Sequence, residues 1–448
     1  MTVIRFLLFF LVITINVVTI GRCSNINPAV EKSYGVKTMK SKSGVNFLFR
    51  QDPDTQLVHI RIAFKYSGAA YQEKGKAGLA NFFSSAIFCG CGEYSSVQLE
   101  REIENLSAIL GCTASCDAIT FAMTVPRLVL KKAVLLLNTI LTKPAFEKDR
   151  LRLVQNSILA QLQNYTRGSV GLVSSLFIPS IIFESHPYGS GETGTAEDFA
   201  KLSVDDLHKY KADFINISNA EACIFGNISA EEATDVLGTL LNGVPVGGPH
   251  KDTVMDIDPI IKPMQKWVYE KTPQSTIWFV LKTAGYHSPK RYSADVLGVI
   301  FGKSTLFNSR IMSQLRTKEG LIYGGGCYIL HLNHASYLLG VLKTENSSVP
   351  KTIELLKKII EDLRVNGVTA EELDFAKSHL KGSAVVALGT SAGMCDFFFR
   401  EMLHGGTETA LDDLLNGISA VQLKEINAFA AETLDENNML FVVIGGTE

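Results

Sequence analysis

Four cysteines fall in two close pairs, Cys89 with Cys91 and Cys112 with Cys116, and thiolates grouped in this way can hold a zinc ion. Their Cys-x-Cys and Cys-x-x-x-Cys spacings differ from the usual ribbon spacing, which favours the plainer reading of buried small residues at a helix end and on a strand. His331 and His334 lie near a strand hairpin; three apart on a strand they face opposite sides, so they read as surface or core histidines rather than ligands. His186 begins a His-Pro-Tyr-Gly turn and reads as structural. Three glycine strings imitate known sites and lack the context that each requires. Gly189–Gly194 has no βαβ unit around it, Gly389–Gly393 has no hydrolase-like alternation of elements, and Gly298–Ser304 falls one residue short of a phosphate loop. His-Glu-x-x-His does not occur. Arg316, closing an amphipathic helix, and Tyr323, opening a strand, are ordinary when judged by composition alone.

The elements that must position these residues form two similar series. From Gln56 to Tyr66, Val58, Ile60, Ile62 and Phe64 alternate with His59, Arg61 and Lys65, the pattern of a half-buried strand. Helices are predicted over 77–89 and, from a Ser95/Gln98 capping box, over 95–110. A hairpin over 111–125 follows, then a helix with Pro126 in its first turn running to Leu141, and an amphipathic helix over 147–165. The second series has strands over 276–281, 322–330 and 335–342, and helices over 292–301 and 309–318. Val134–Leu141 matches Ile353–Ile360 at an offset of about 220 residues, too long for a solenoid period. Duplication of one α+β domain, an antiparallel sheet covered by helices, explains the match. The predicted layout is a leader over 1–23, a domain over 30–242, a Gly/Pro/Asp-rich linker over 243–263 and a second domain over 264–448.

The 448 residues, 46% hydrophobic and 20% charged, can build more than one core. With 43 Lys and Arg against 45 Asp and Glu there is no global basic field, so nucleic acid is not expected as a partner. Phe6–Ile20 is an unbroken uncharged run after Arg5, the pattern of a secretory signal peptide. It implies an exported protein, periplasmic or secreted, with no stable membrane span after cleavage; an uncleaved anchor is the alternative.

The segment Gly75–Gly90 resembles the signature helix of the M16 (pitrilysin/insulinase) metallopeptidase family, of the M16B type. Further matches are His186–Gly189 with Gly194, Leu202–Leu207, Asn219-Ala ahead of a strand ending at Gly226, and Ser309–Tyr323, which is close to the family's C-terminal-domain motif. The resemblance covers nearly the whole chain after the leader and implies two homologous α+β domains. Active members carry His-x-x-Glu-His on that helix, two imidazoles on one face for Zn²⁺ and a glutamate as general base. Here the motif reads Asn81-Phe82-Phe83-Ser84-Ser85, with Asn81 and Ser85 at the ligand positions and Ser84 at the base; the family's third ligand, a glutamate, falls on Gln161. Amide and hydroxyl oxygens are poor Zn²⁺ ligands, and serine takes no proton from water near neutral pH. No metal is therefore expected in this chain.

The resemblance assigns Arg316 and Tyr323 to the pair that faces the zinc from the C-terminal half. The tyrosine hydroxyl hydrogen-bonds the scissile carbonyl and the arginine holds substrate backbone carbonyls. Some bacterial M16 peptidases divide the zinc motif and the Arg/Tyr pair between two chains. By that resemblance the chain is expected to be inactive alone and to serve as the substrate-binding subunit of a heterodimeric peptidase. The partner, an M16 chain with an intact motif, supplies Zn²⁺, and a peptide is the substrate. The alternatives are an inactive scaffold resembling cytochrome bc1 core or processing-peptidase subunits, and a self-sufficient hydrolase built on the cysteines.

Overall fold

The computed structural model describes residues 34–163, 173–248, 252–303 and 307–446; the leader predicted over 1–23 lies outside them. The chain forms two sheets of like topology. Strands β1 (Lys37–Lys40), β2 (Asn46–Gln51), β3 (Leu57–Lys65), β4 (Ile109–Ala114), β5 (Ala118–Pro126) and β6 (Ala220–Gly226) are ordered β1-β2-β6-β3-β5-β4. Strands β7 (Met264–Val268), β8 (Gln274–Lys282), β9 (Ile322–His331), β10 (Ser336–Glu345) and β11 (Leu440–Ile444) are ordered β7-β11-β8-β10-β9. In each sheet one parallel pair, β2 with β6 and β7 with β11, adjoins an antiparallel set. The repeated order is that of a duplicated α+β unit.

Helices cover one face of each sheet. On the first lie α1 (Leu79–Ala86), α2 (Ser96–Asn105), α3 (Leu130–Thr142) and α4 (Lys148–Gln163). They are followed by α5 (Ile178–Ile182), α6 (Ala196–Phe199), α7 (Val204–Phe214) and α8 (Ala230–Leu240). The second series is α9 (Arg291–Gly298), α10 (Val349–Asn366), α11 (Ala370–Ala387), α12 (Ser391–Leu403), α13 (Ala410–Ala420) and α14 (Leu423–Thr433). Capping boxes at Ser95, Ser203, Ser229 and Thr369 satisfy the free N–H groups that open α2, α7, α8 and α11.

Several boundaries differ from the sequence expectation. α2 stops at Asn105 because Ser107 takes φ +47°, and Leu110 lies on β4. Pro126 ends β5, paired with Leu57, instead of starting the next helix. The helix expected over 309–318 is a wide π-type turn, Met312–Lys318, and the one over 292–301 passes into another such turn at Val299.

The largest correction concerns β3, which is buried on both faces. His59 is only 3% exposed. α12, from the far end of the chain, lies on β3 and β6. Arg61 Nε donates to Asp396 at 2.8 Å, and Phe398 packs on Phe225 with ring centroids 5.9 Å apart. The exchange is mutual: Ile178, Ile182, Phe183 and Tyr188 pack with Trp278, Val280, Tyr337 and Leu339 of the second sheet. Each sheet thus uses a helix from the other half of the chain to bury its second face. Among the described residues no single helix is long and apolar enough to cross a membrane; α11 and α12 pass such a test only together, bent by 117°.

Candidate functional site

α1 begins at Gly78, whose φ is +92° and where a Cβ would stand 2.6 Å from the Thr193 carbonyl, so only glycine fits. Phe82, Phe83 and Ser84 face the core; Asn81 is half-buried and Ser85 exposed, one helical turn apart. The Ser84 hydroxyl donates to the Asn81 carbonyl at 2.9 Å. Gln161 lies exposed on α4, which packs against α1, and its amide donates to Ser157 Oγ at 3.5 Å. The fold therefore brings the helices bearing the four motif positions together. The donors they present are two amides and two hydroxyls, and Ser84 spends its proton within its own helix. That set does not fit Zn²⁺, which takes imidazole, thiolate or carboxylate. Among the described residues no group of three or more His, Cys, Asp or Glu side chains is placed to hold a metal ion.

The four cysteines are free thiols. Burial pushes Cys89 and Cys91 up to about 11 and Cys112 and Cys116 well above the usual thiol value, so all four stay protonated near neutral pH.

Arg316 lies in the Met312–Lys318 turn and Tyr323 at the start of β9. The turn carrying Arg316 packs on β9, and Leu321 N–H donates to the Leu315 carbonyl at 2.8 Å, returning the chain into the strand. The Arg316 guanidinium sits over the Phe307 ring, 4.9 Å from its centroid. Between β9 and β10 the register slips: Gly324 pairs with Lys343 and Ile322 with Thr344, which leaves Tyr323 as the extra residue of a β-bulge. A bulge re-aims the side chain it carries, and Tyr323 is 50% exposed. Its hydroxyl donates to Glu345 Oε1 at 3.0 Å, and that bond raises the phenol's pKa. The glycines that follow allow close approach, since a Cβ at Gly326 would stand 2.7 Å from the Gly302 carbonyl. β9 is the outermost strand of its sheet, and β4, beside α1, is the outermost strand of the other. Both sets of motif positions thus lie at a sheet edge.

The sequence reading did not find the groups that join the two sheets. Tyr188 O–H donates to Asp117 Oδ1 at 2.6 Å, Asn333 N–H to Asp117 Oδ2 at 3.0 Å, and His334 N–H to the Tyr188 oxygen at 3.1 Å. The His334 ring faces Asp256 at 2.8 Å and Asp252 at 2.9 Å, and Tyr71 O–H donates to Asp252. His334 is therefore part of a joint that includes the segment expected to link the domains. Burial, followed by the charge of Asp117, pushes Glu192 beside it up to about 7. His186 caps the 187–190 turn through Nδ1, which accepts from Tyr188 N–H, while Nε2 meets the Met255 carbonyl at 2.9 Å. A polar cavity of about 310 Å³ is lined by Tyr286, Arg291, Glu401 and His404. Its strongest charges are spent on each other, Arg291 on Glu401 at 3.2 Å, and burial pushes His404 down to about 4.

Residues 46–194 match the family model described as insulinase (peptidase family M16), and residues 201–380 match the peptidase M16 inactive domain. The chain belongs to the M16 peptidase family. The zinc-motif positions on α1 and α4 fall within the first matched region, and the region described as inactive begins after them. A protein of Helicobacter pylori called "non-peptidase homolog YmxG" is 24% identical over 86% of this chain and 88% of its own length. The human mitochondrial-processing peptidase subunit beta is 22% identical over 85% of this chain and 78% of its own. The crystal structure of a peptidase M16 inactive domain from Pseudomonas fluorescens superposes with a TM-score of 0.84 at 21% identity, over 92% of this chain and 98% of that one. The last comparison establishes the fold alone.

Proposed function

We propose that this M16 homologue is the non-catalytic, substrate-binding subunit of an exported heterodimeric zinc peptidase. A partner M16 chain with an intact His-x-x-Glu-His would hold the Zn²⁺ and activate the water that attacks the peptide bond. This chain would supply the other wall of the chamber. Tyr323 O–H would donate to the scissile carbonyl, where negative charge develops, and Arg316 would fix neighbouring carbonyls of the peptide. The observation that carries this reading is the contrast between the two motifs. Asn81, Ser84, Ser85 and Gln161 offer neither ligand nor base, whereas Tyr323 is held out of the strand by a bulge with its phenol exposed. A sheet edge beside each motif also suits an extended peptide added as a strand.

The test is Tyr323→Phe in the complex with its partner. Turnover is expected to fall roughly 10²-fold, the scale of one lost oxyanion donor; an unchanged rate would remove the role assigned to the hydroxyl. A scaffold without proteolytic function is the second reading, favoured by one observation: the Tyr323 hydroxyl is already bonded within its own chain. A stable complex that is inactive with both wild-type and variant chains would support the scaffold.

A further inference from the structure

A phenol has one proton to donate, and in this chain Tyr323 gives it to Glu345. A substrate carbonyl can receive that proton only after the bond to Glu345 is broken. Glu345 closes β10 at the chain's exposed surface, and among the described residues it has no ion pair; Lys343, two residues earlier on the strand, makes none with it. Arg316 is turned onto Phe307 instead.

We propose that Glu345 is a specificity-determining residue: it occupies the Tyr323 hydroxyl until a peptide brings a cationic side chain beside the carbonyl that Tyr323 is to hold. This rests on the substrate-binding reading given above. The exchange follows from hydrogen-bond strengths. The phenol's bond to the carboxylate is already charge-assisted on one side, and a lysine or arginine of the peptide adds a full opposite charge, so the carboxylate turns to the cation and the hydroxyl is released to the carbonyl. A neutral side chain leaves the carboxylate with water as its only substitute, and an acidic one is repelled. Because the site is exposed, the advantage is small: an exposed ion pair corresponds to about a two- to fivefold gain in affinity at low ionic strength.

The test is fluorescence anisotropy with the purified chain and three labelled short peptides that differ only in one central residue, lysine, norleucine or glutamate. The lysine peptide should bind about two- to fivefold tighter than the norleucine peptide, the glutamate peptide weakest, with the ranking compressed as salt shortens the Debye length. In Glu345→Ala the hydroxyl is free from the start, so the norleucine peptide should tighten and the ranking by charge should vanish. Adding Tyr323→Phe to that variant should cancel the norleucine gain, which a merely structural Glu345 would not require. A charge ranking that persists in Glu345→Ala, or is absent from a wild-type chain whose peptide binding falls in Arg316→Ala, overturns the role of Glu345 alone. If no peptide binds, or binding ignores both Arg316→Ala and Tyr323→Phe, the substrate-binding reading falls and this inference with it.

Discussion

Replacing Glu192 by glutamine tests how the joint between the two sheets is held. Glu192 packs beside Asp117, whose two carboxylate oxygens accept from Tyr188 and Asn333 across the joint. Burial, and then the charge of Asp117, pushes the Glu192 carboxyl from its ordinary value of 4.5 up to about 7. Between these values the folded chain keeps a proton that the unfolded chain has lost. Stability therefore falls as pH rises through that window and is level above it. The full difference amounts to roughly 3 kcal/mol. Glutamine keeps the shape and never carries charge, so Glu192→Gln should be more stable than wild type at about pH 8 by up to roughly 3 kcal/mol, with the gap closing towards about pH 4.5. Urea unfolding of both proteins across that range measures the gap through the shift in midpoint. Asp117, also raised by burial, is present in both proteins, and its repulsion of the Glu192 charge is part of the gap that Glu192→Gln removes. A gap that does not change with pH would refute the assignment of a neutral Glu192 to this joint.

Two further outcomes follow from the packing and from the motif positions. Gly340→Ala places a Cβ 1.9 Å from the Phe279 ring, which is fully buried and cannot swing aside, so stability should drop by about 3 kcal/mol, the upper end for overpacking; an unchanged urea midpoint would contradict the packing. The combined variant Asn81→His, Ser84→Glu, Ser85→His and Gln161→Glu should take up about one zinc per chain by elemental analysis, with wild type taking none, because α1 and α4 already pack together. Its unfolding should shift with zinc, by about 4 kcal/mol when free metal is a thousandfold above Kd. A folded variant that takes up no zinc would mean that these four positions do not converge.

Local sequence signals predicted most elements of both sheets. The alternation around Ile60, the capping box at Ser95 and the repeat of Val134–Leu141 at Ile353–Ile360 are all determined by neighbours within a few residues. The second face of β3 was misjudged for the opposite reason. His59 and Arg61 look solvent-facing in sequence, and only the return of α12, more than 300 residues later, covers them. The motif residues Asn81, Ser84, Ser85, Gln161, Arg316 and Tyr323 could be named from the family resemblance, but the bulge that turns Tyr323 outward depends on a register slip between Lys343 and Thr344. Glu345, which takes the Tyr323 proton, and His334, which meets Asp252 and Asp256, are placed by strand pairing and by a tertiary joint. Neither carries a local signal.

The most direct test of the split-site reading is zinc content and peptidase activity of the purified chain, alone and after mixing with an M16 partner that retains His-x-x-Glu-His. The chain alone should hold no stoichiometric zinc and cleave nothing, and the mixture should cleave peptide at a rate that Tyr323→Phe lowers. Stoichiometric zinc together with hydrolysis by the single chain would contradict it.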